Sequence, residues 1–368
     1  MKLALLELLR KPGRFLTAGV ILTLISILLM FLGGLLDGLI RSSTGAIRAQ
    51  DVDVIVYSDT AKASFQRSRI EADTKQQVEA VPGVTEVGEL GVVQLGARVP
   101  GNDVRDLANV ALFGYEIPPD GVPDAPADGQ AWADEVLKAD GVEEGMVLEL
   151  GPARTPVEVI GFVSDTSFNG QGGLWASEAT WRTTLAANRP DARLADDVTQ
   201  SLVVRGEGEA DDLADAVDAA TGRTDSYTIP DAVAAIPGVE EQSTTFGQII
   251  GVTIAVAVVV IALFFALLTV ERTALYGVLK ALGARSTTLF GGLVVQAVAI
   301  TLSAAAIAAT LVGVLDLLIP PGSIPLSLTP SRVVTSVLLL LAAAVIGCAF
   351  SLRRVLRVDP ASAIGTSS

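Results

Sequence analysis

Few side chains in this chain of 368 residues are of the types that carry out metal or acid–base chemistry. The sequence has no histidine, which is the commonest metal ligand and general base, and it has one cysteine, Cys348. Histidine-dependent hydrolase triads, an internal disulfide and a multi-cysteine metal site are therefore excluded. No G-x-x-x-x-G-K-[ST] loop is present to hold nucleotide phosphates. We expect no catalytic residue and no permanent cofactor, and any ATP and Mg²⁺ would be bound by a separate subunit.

The elements that must position the remaining side chains are largely apolar. Half of the residues are apolar and the mean hydropathy is +0.53, which is unusual for a soluble protein. A helix of about 20 apolar residues crosses a bilayer, and we predict four such helices at 14–38, 247–270, 288–318 and 333–352. For the first helix a cleaved signal peptide is the alternative. That stretch is longer than an h-region, however, and no A-x-A site directly follows it.

Residues 39–246 form a polar segment between the first and second predicted helices. Alternating apolar residues predict strands at 51–57 and 157–163. Helices are expected at 71–80, 130–138, 176–187 and 208–220. We therefore predict an α-helical membrane protein with four transmembrane helices, arranged as one plus three, and a mixed α+β domain inserted between helices 1 and 2.

The orientation follows from the basic residues next to the predicted spans. Three short segments, 1–14, 271–287 and 353–368, together hold ten basic and three acidic residues. Residues 39–248 hold 15 basic and 36 acidic residues. We expect both termini in the cytoplasm and residues 39–246 outside it, in a multi-pass protein of the cell membrane. A domain this acidic is not expected to bind nucleic acid or anionic lipid headgroups.

Two cytoplasmic segments are expected at the ends of the chain. Residues 1–13 have apolar residues on one side and basic residues on the other, and they predict an amphipathic elbow helix on the membrane surface. Pro12 and Gly13 would then turn the chain into the membrane. The alternative is a first span that is slightly longer. Residues 353–368 form a cytoplasmic tail.

The connection 271–287 is the one predicted cytoplasmic connection between spans. It contains a short basic segment with an apolar edge, which ends at Gly283 and is typical of a helix that docks in a groove of a partner protein. The alternative is an interfacial loop that only obeys the positive-inside rule. The residues expected to contact a partner are Arg272, Tyr276, Gly277, Lys280 and Gly283.

Small residues recur on one face of the first helix. Met30, Gly34 and Gly38 are spaced i, i+4, i+8 and therefore share a face. Gly34 and Gly38 form a small-xxx-small pattern, which lets two helices approach closely. Such a face is suited to pairing two copies of the chain as a homodimer, although these patterns are frequent in membrane helices.

Two motifs carry a resemblance to a known family. Gly277-Val278-Leu279-Lys280-Ala281-Leu282-Gly283 resembles the loop between the second and third helices of FtsX-like and MacB-type permeases. Val358-Asp359-Pro360-Ala361-Ser362-Ala363-Ile364-Gly365 resembles the ending of that family, with Ser362 where its relatives have glutamate. The resemblance implies an ABC transporter permease, embedded in membrane lipid, that works as two permeases with two ATP-binding cassette ATPase subunits.

Within this family the chain most resembles the members that export heme, and the resemblance implies efflux of heme taken laterally from the membrane. Met30 would then be a ligand of heme iron between two copies of the first helix, in a slot formed with Gly34 and Gly38. Arg41 would meet the propionates. The alternative iron ligands carry oxygen: Tyr57, Tyr115, Tyr227 and Glu241.

The charge pattern of the spans favours an amphiphilic substrate over an ion. No charged residue lies in the middle of a predicted span, because Asp37 and Asp316 lie near span ends. A lipid, a glycolipid or a peptide is the alternative substrate. A mechanotransmission or signalling subunit that translocates nothing is the alternative function.

Overall fold

The computed structural model describes residues 12–103, 105–271, 286–319 and 323–356. The chain divides into two compact units. The first, which we call the helix bundle, contains the residues up to Asp37, residues Ser243–Ile319 and the residues from Leu326 onward. The second, the sheet domain, contains Gly38–Gln242 and Pro320–Pro325.

The helices of the described residues are, in chain order, α1 Pro12–Arg48, α2 Ala72–Glu79, α3 Glu178–Asn188, α4 Ala210–Thr221, α5 Ile229–Ala234, α6 Val239–Glu271, α7 Ser286–Leu318 and α8 Pro330–Leu356. Four of these, α1, α6, α7 and α8, are long and apolar enough to cross a membrane. The predicted arrangement of one span, a mixed α/β domain and three further spans is confirmed.

Two of the long helices extend beyond the apolar stretches that predicted them. Helix α1 continues to Arg48, and α6 begins at Val239. The extension of α1 has its own buried residues, since Ala46 and Ile47 pack in a core cluster of the sheet domain. The apolar stretches therefore predicted where the spans lie but underestimated the lengths of α1 and α6.

The predicted end segments fall largely outside the described residues. Of the elbow 1–13, the structure describes Pro12 and Gly13, which lie in the first turn of α1, and the rest of the elbow lies outside the described residues. Proline is tolerated in the first turn of a helix, where its missing N–H has no intrahelical partner. The docking segment 272–285 and the tail beyond Leu356 lie outside the described residues.

The sheet domain is built on a nine-stranded sheet with the order β11-β1-β10-β3-β4-β8-β5-β7-β6. Its strands are β1 Val54–Ser58, β3 Val84–Arg98, β4 Leu107–Tyr115, β5 Gln130–Asp134, β6 Val147–Leu150, β7 Thr155–Val163, β8 Gly172–Ala176, β10 Ser201–Gly206 and β11 Thr224–Thr228, while β2 Ile70–Glu71 and β9 Val198–Thr199 pair separately. An additional pairing of β3 with β6, at Ala97 with Leu150 and Arg98 with Glu149, closes six of the strands into a ring.

Alternation along the strands separates the cores of the sheet domain. In β1, Val54 and Val56 pack with α2 and α4 on one face. Ile55 and Tyr57 lie on the other face and pack with Phe65, Phe113 and Trp175, among others. Because both faces of β1 are buried, a shift of its register by one residue would exchange the two sets of side chains.

The predicted helix at 130–138 is wrong, because Gln130–Asp134 form strand β5 and Glu135–Asp140 form a 3₁₀ turn. The segment contains good helix formers, but Ala131 and Ala133 alternate into a fully buried core between β7 and β8. Pairing of β5 with a strand on each side outweighs the helix propensity of these residues, because propensity contributes little compared with tertiary contacts. The predicted strands at 51–57 and 157–163 overlap β1 and β7, and the other three predicted helices overlap α2, α3 and α4.

Candidate functional site

Met30 lies in the interior of the helix bundle. Its side chain has no exposed surface and packs with Ala305, Ala308 and Val312 of α7 and with Leu340 of α8. The predicted slot requires this thioether to face a second copy of the chain, whereas the structure closes it inside one chain. In this arrangement Met30 is a packing residue, and an iron ligand at this position would require α1 to separate from α7 and α8.

Gly34 packs against the segment that precedes α8. Its carbonyl accepts a hydrogen bond from the backbone N–H of Ser327 at 3.0 Å. A Cβ at Gly34 would lie 3.1 Å from Leu326 Cδ1. The close approach predicted for this small residue is therefore present, but the surface it meets belongs to the same chain.

An ion pair that the sequence analysis did not predict lies one turn further along α1. The guanidinium of Arg332, in the first turn of α8, donates from Nε to Asp37 at 2.8 Å and from Nη2 to the other carboxylate oxygen. Its side chain crosses α1 at Gly33, where a Cβ would lie 2.7 Å from Arg332 Cδ. Gly33 therefore provides the space for this pair. The signal in the sequence was one acidic and one basic residue near the same ends of two spans.

Arg41 is exposed, and its guanidinium is paired with a carboxylate of the same chain. It donates from Nε at 3.2 Å and from Nη2 at 2.9 Å to Asp165, and Arg48 donates to the other oxygen of Asp165 at 2.8 Å. The predicted contact of Arg41 with propionates would have to break this pairing. Gly38, the remaining residue of the predicted site, is buried.

The last turns of α1 are tied to the loop that follows β7. Ala46 donates its N–H to Ser167 O, and the N–H groups of Asn169 and Gly170 donate to the carbonyls of Ser43 and Ser42. A Cβ at Gly45 would lie 2.7 Å from Asp165 O. The helix and the loop therefore touch backbone to backbone.

The other side of this loop is held by a buried carboxylate. Asp134, at the end of β5, is 3% exposed. Its Oδ2 accepts from the N–H and hydroxyl of Thr166 and from the hydroxyl of Ser167 at 2.9–3.0 Å. Since these bonds satisfy Asp134 while α1 holds the same loop, the end of α1 is fastened to the ring of strands through residues 165–170.

An apolar groove lies between α1 and α7 in the helix bundle. Its volume is about 640 Å³. Residues spaced three and four apart line it on both helices, so one face of each helix is involved. The lining residues are Leu16, Gly19, Val20, Thr23, Leu24 and Ile27 of α1 and Ala299, Ile300, Ser303, Ala304, Ile307 and Leu311 of α7. This is a site of apolar character that the sequence analysis did not predict.

The three alternative tyrosine ligands lie in surroundings that favour the neutral phenol, whereas a tyrosine ligand binds iron as the phenolate. Burial raises the pKa of Tyr57 and of Tyr115 well above the ordinary value. Burial and the hydrogen bond to Asp225 raise the pKa of Tyr227 to about 12. The hydroxyls of Tyr115 and Tyr227 also donate to Pro123 O and to Asp225.

Residues 248–360 match the model of the FtsX-like permease C-terminal family. This region is similar to an FtsX-like permease domain, and it contains α7, α8 and the part of α6 from residue 248 onward. The resemblance drawn from the motifs at 277–283 and 358–365 is confirmed by this match.

Curated relatives of the chain include two staphylococcal proteins, each provisionally named hemin transport system permease protein HrtB. The one from Staphylococcus haemolyticus is 29% identical over 110 residues, which are 30% of this chain and 31% of the relative. The one from Staphylococcus epidermidis, strain ATCC 12228, is 25% identical over 138 residues, which are 38% of this chain and 39% of the relative. The matched parts thus span less than half of each relative.

Two solved structures resemble part of the chain. The periplasmic region of MacB from Actinobacillus actinomycetemcomitans has a TM-score of 0.35 and 12% identity, and the similarity covers 52% of this chain and 94% of that chain. The extracellular domain of the noncanonic ABC-type transporter YknZ from Gram-positive bacteria has a TM-score of 0.31 and 15% identity, and the similarity covers 48% of this chain and 99% of that chain.

Proposed function

We propose that this protein is the permease subunit of an ABC-type exporter. The observation that carries the proposal is the FtsX-like permease match over 248–360, which includes three of the four helices able to cross a membrane. The chain itself has no phosphate-binding loop. Two copies of the chain and two ATPase subunits form the working complex, and hydrolysis of ATP takes place in the partner.

The segment 272–285 is the proposed contact with the ATPase. It lies within the matched family region and carries Arg272, Tyr276, Gly277, Lys280 and Gly283. Gly277→Trp should uncouple ATP hydrolysis from transport in the reconstituted complex while the chain still inserts in the membrane, because a bulky side chain there obstructs the docked helix. Unchanged coupling would exclude this interface.

The sheet domain is proposed to lie outside the cytoplasm, because the basic residues cluster in the three short segments on the other side. A single thiol at Glu209→Cys in a Cys348→Ser background tests this, since Glu209 is exposed. A maleimide that does not cross membranes should label intact cells. Labelling only after lysis would show that the sheet domain lies in the cytoplasm and that the proposed topology is wrong.

The proposed substrate is an amphiphile that partitions into the membrane, with heme as the first candidate. The provisional names of the staphylococcal relatives support heme. The groove between α1 and α7 supports an apolar substrate that enters sideways from the bilayer, because it is lined almost wholly by apolar side chains. We place the substrate in this groove, since the Met30 side chain is closed off within the same bundle.

Hemin titration of the full-length chain in detergent distinguishes binding in the groove from binding at Met30. Gly19→Leu fills the groove from α1, where a Cβ meets nothing within 4 Å, so it should weaken hemin binding without disturbing the helix. Met30→Ala should leave the hemin spectrum unchanged. Met146→Ala, in the sheet domain, is the control. If only Met30→Ala changes the hemin spectrum, the binding site is at Met30. If no variant alters hemin binding, heme is no longer the proposed substrate.

A mechanotransmission role is the second candidate. The fastening of α1 to residues 165–170 favours it, because movement of the end of α1 is passed to the loop without an intervening flexible segment. Arg41→Gln combined with Arg48→Gln loosens this attachment. The double variant should leave ATP hydrolysis by the partner intact and reduce the ATP-dependent movement of the sheet domain if the attachment transmits motion.

A further inference from the structure

A pocket of about 340 Å³ lies on the sheet domain, and none of its lining residues belongs to the groove or to α1. It is surrounded by the segment that follows β1, by β3 and by the residues that follow α3. Its polar lining consists of Gln66, Arg67, Arg69, Gln94, Arg189 and Gln200, with Asp191 at the rim. Val92, Val93 and Leu185 contribute apolar surface.

The pocket is positively charged although the domain around it is acidic. Arg67, Arg69 and Arg189 contribute three positive charges and Asp191 contributes one negative charge, so the pocket carries a net charge of about +2. Asp191 meets Arg189 Nε at 3.4 Å, and its side chain is 71% exposed. Within the described residues, Arg67 and Arg69 form no ion pair with a carboxylate. Residues 39–248 contain 36 acidic residues, so the lack of a carboxylate partner for Arg67 and Arg69 does not reflect a shortage of carboxylates in the domain.

The orientation of Arg69 is fixed by the backbone around it. Its Nη1 donates to Gln66 O at 3.0 Å and to Ser68 O at 2.6 Å. Partial burial lowers the pKa of this guanidinium, and no carboxylate compensates for the loss of water. The remaining donors of Arg69 are therefore held in place next to the pocket and lack an anionic partner.

Gln200 contributes a neutral donor to the pocket. It lines the pocket and is 2% exposed. Its Oε1 accepts the N–H of Val92 at 2.7 Å, which fixes the plane of the amide. Among the described residues its Nε2 makes no hydrogen bond, so this N–H group is available to a ligand.

We propose that this pocket binds the phosphate group of a small ligand. A phosphate monoester carries close to two negative charges at neutral pH, which matches the net charge of the pocket, whereas a single carboxylate carries one. Guanidinium groups bind phosphate oxygens through paired charge-assisted hydrogen bonds, and the amide of Gln200 adds a neutral donor. The volume is at the lower end of the 300–1,000 Å³ typical of ligand pockets.

The phosphate can come from a lipid headgroup or from a soluble phosphate ester, and two probes distinguish these sources. Glycerol 3-phosphate represents the soluble ester, and dihexanoyl phosphatidic acid represents the headgroup. Each is titrated into the full-length protein in neutral detergent by isothermal calorimetry. Glycerol and dihexanoylglycerol are the matched ligands without phosphate. The site does not depend on the proposed heme substrate, because none of its residues belongs to the groove or to α1.

We expect one-to-one binding of at least one phosphate probe, which Arg67→Gln weakens about tenfold or more through the loss of a charge-assisted contact. The Arg67 side chain makes no hydrogen bond among the described residues, so this variant should fold normally, while Arg69→Gln should weaken binding further. Arg154→Gln is the control, because Arg154 is exposed elsewhere on the domain and should change affinity less than twofold.

The pattern of binding decides the source and the proposal. Binding of glycerol 3-phosphate alone identifies a soluble ligand, and binding of phosphatidic acid alone identifies a headgroup. The proposal is wrong if neither probe binds more tightly than its neutral counterpart. It is equally wrong if Arg67→Gln and Arg69→Gln both bind as the wild type does.

Discussion

The sheet domain and the helix bundle bury different kinds of side chain. The largest fully buried side chains of the sheet domain are aromatic, among them Trp175, Trp181, Tyr57 and Phe113. Many buried residues of the bundle are alanines, at 257, 297, 304, 305, 308, 343 and 344. The bundle instead exposes leucines, such as Leu24 at 60% and Leu263 at 65%.

This difference follows from the solvent in which each part folds. In water, burial of apolar area stabilises a domain, so large side chains go inside. In lipid the hydrocarbon around a helix is as apolar as leucine, so helices associate through close contact of small residues and through polar pairs. Gly347 of α8 illustrates such contact, because its Cβ would lie 2.9 Å from Val258 O of α6.

Among substitutions that enlarge a side chain, the largest effect is expected where a tryptophan ring of the sheet domain packs directly on glycine. Gly91 of β3 and Gly114 of β4 are directly paired, and Trp181 of α3 lies against both. Gly91→Ala would place its methyl inside the volume of the indole, so we expect a loss of about 3 kcal/mol in the free energy of unfolding. Hydrogen exchange of the full chain would show this as lost protection in β3 and α3.

Gly96→Ala is the matched control on the same strand. Its new methyl would lie 3.0 Å from Leu107 Cδ1, the mobile end of a side chain that is 44% exposed. We expect less than 1 kcal/mol for this variant. Equal effects of the two substitutions would mean that glycine is needed at these positions for its backbone conformation and not to leave space for the Trp181 ring.

The bundle should be most sensitive at its ion pair. The side chains of Asp37 and Arg332 are 22% and 24% exposed, so loss of one partner leaves a charge in surroundings of low polarity. We expect Asp37→Asn and Arg332→Gln each to destabilise the chain by about 2 kcal/mol. The double variant should cost less than the sum of the two, measured by denaturation in mixed micelles. Additive effects would show that the two groups do not interact.

A polar cluster of the sheet domain should make its stability depend on pH. Burial raises the pKa of Glu89, but hydrogen bonds and charges from Lys75 and Arg182 outweigh this and hold the pKa below the ordinary value. A lowered carboxyl pKa contributes stability above the unfolded pKa of about 4.3, and this is lost as pH falls through the folded pKa.

Glu89→Gln should therefore destabilise the chain by about 1 kcal/mol at pH 7, and this loss should shrink as pH falls through the folded pKa of Glu89. The neighbouring Glu178 acts in the opposite direction, because burial raises its pKa. A raised carboxyl pKa favours the folded state as pH falls, so Glu178→Gln should lose more stability than the wild type on acidification. Parallel denaturation curves for wild type and Glu89→Gln at all pH values would contradict the assignment.

The smallest effect is expected on the outward face of the bundle. Leu263→Ala in α6 removes a side chain that is 65% exposed, so we expect a change within about 0.5 kcal/mol in micelles. Leu112→Ala in β4 removes a fully buried side chain and should cost 2–5 kcal/mol, estimated from the general cost of such cavities. A large effect at Leu263 would indicate that a partner covers this face.

The sequence predicted the spans better than it predicted their contacts. Apolar length is a local property, so α1, α6, α7 and α8 were expected near their observed places. Whether Met30 faces a second copy or α7 depends on the rotation of α1, and small residues on several faces do not determine that rotation. The Asp37–Arg332 pair joins residues that are far apart in the chain, so their spacing carried no signal.

The same limit applies to the sheet domain. The two predicted strands alternate locally, whereas β5 was predicted as helix because its pairing with β7 and β8 is set by distant residues. The arginine pocket was also not predicted. Arg67 and Arg69 are close in the chain, but Arg189 and Gln200 reach them only in the folded domain. The charge counted along the chain indicated an acidic domain and did not reveal its local basic site.

The position of β1 in the sheet has a consequence for synthesis of the protein. This strand pairs with β10 and β11, and Val54 lies opposite both Val204 and Thr228. During translation the chain therefore produces β1 near the start of the domain and its two neighbours near the end. At about 5–20 residues per second the strand waits on the order of ten seconds for them. During that time both edges and both apolar faces of β1 are open to misassembly, so we expect the nascent domain to depend on chaperones until Thr228 has emerged.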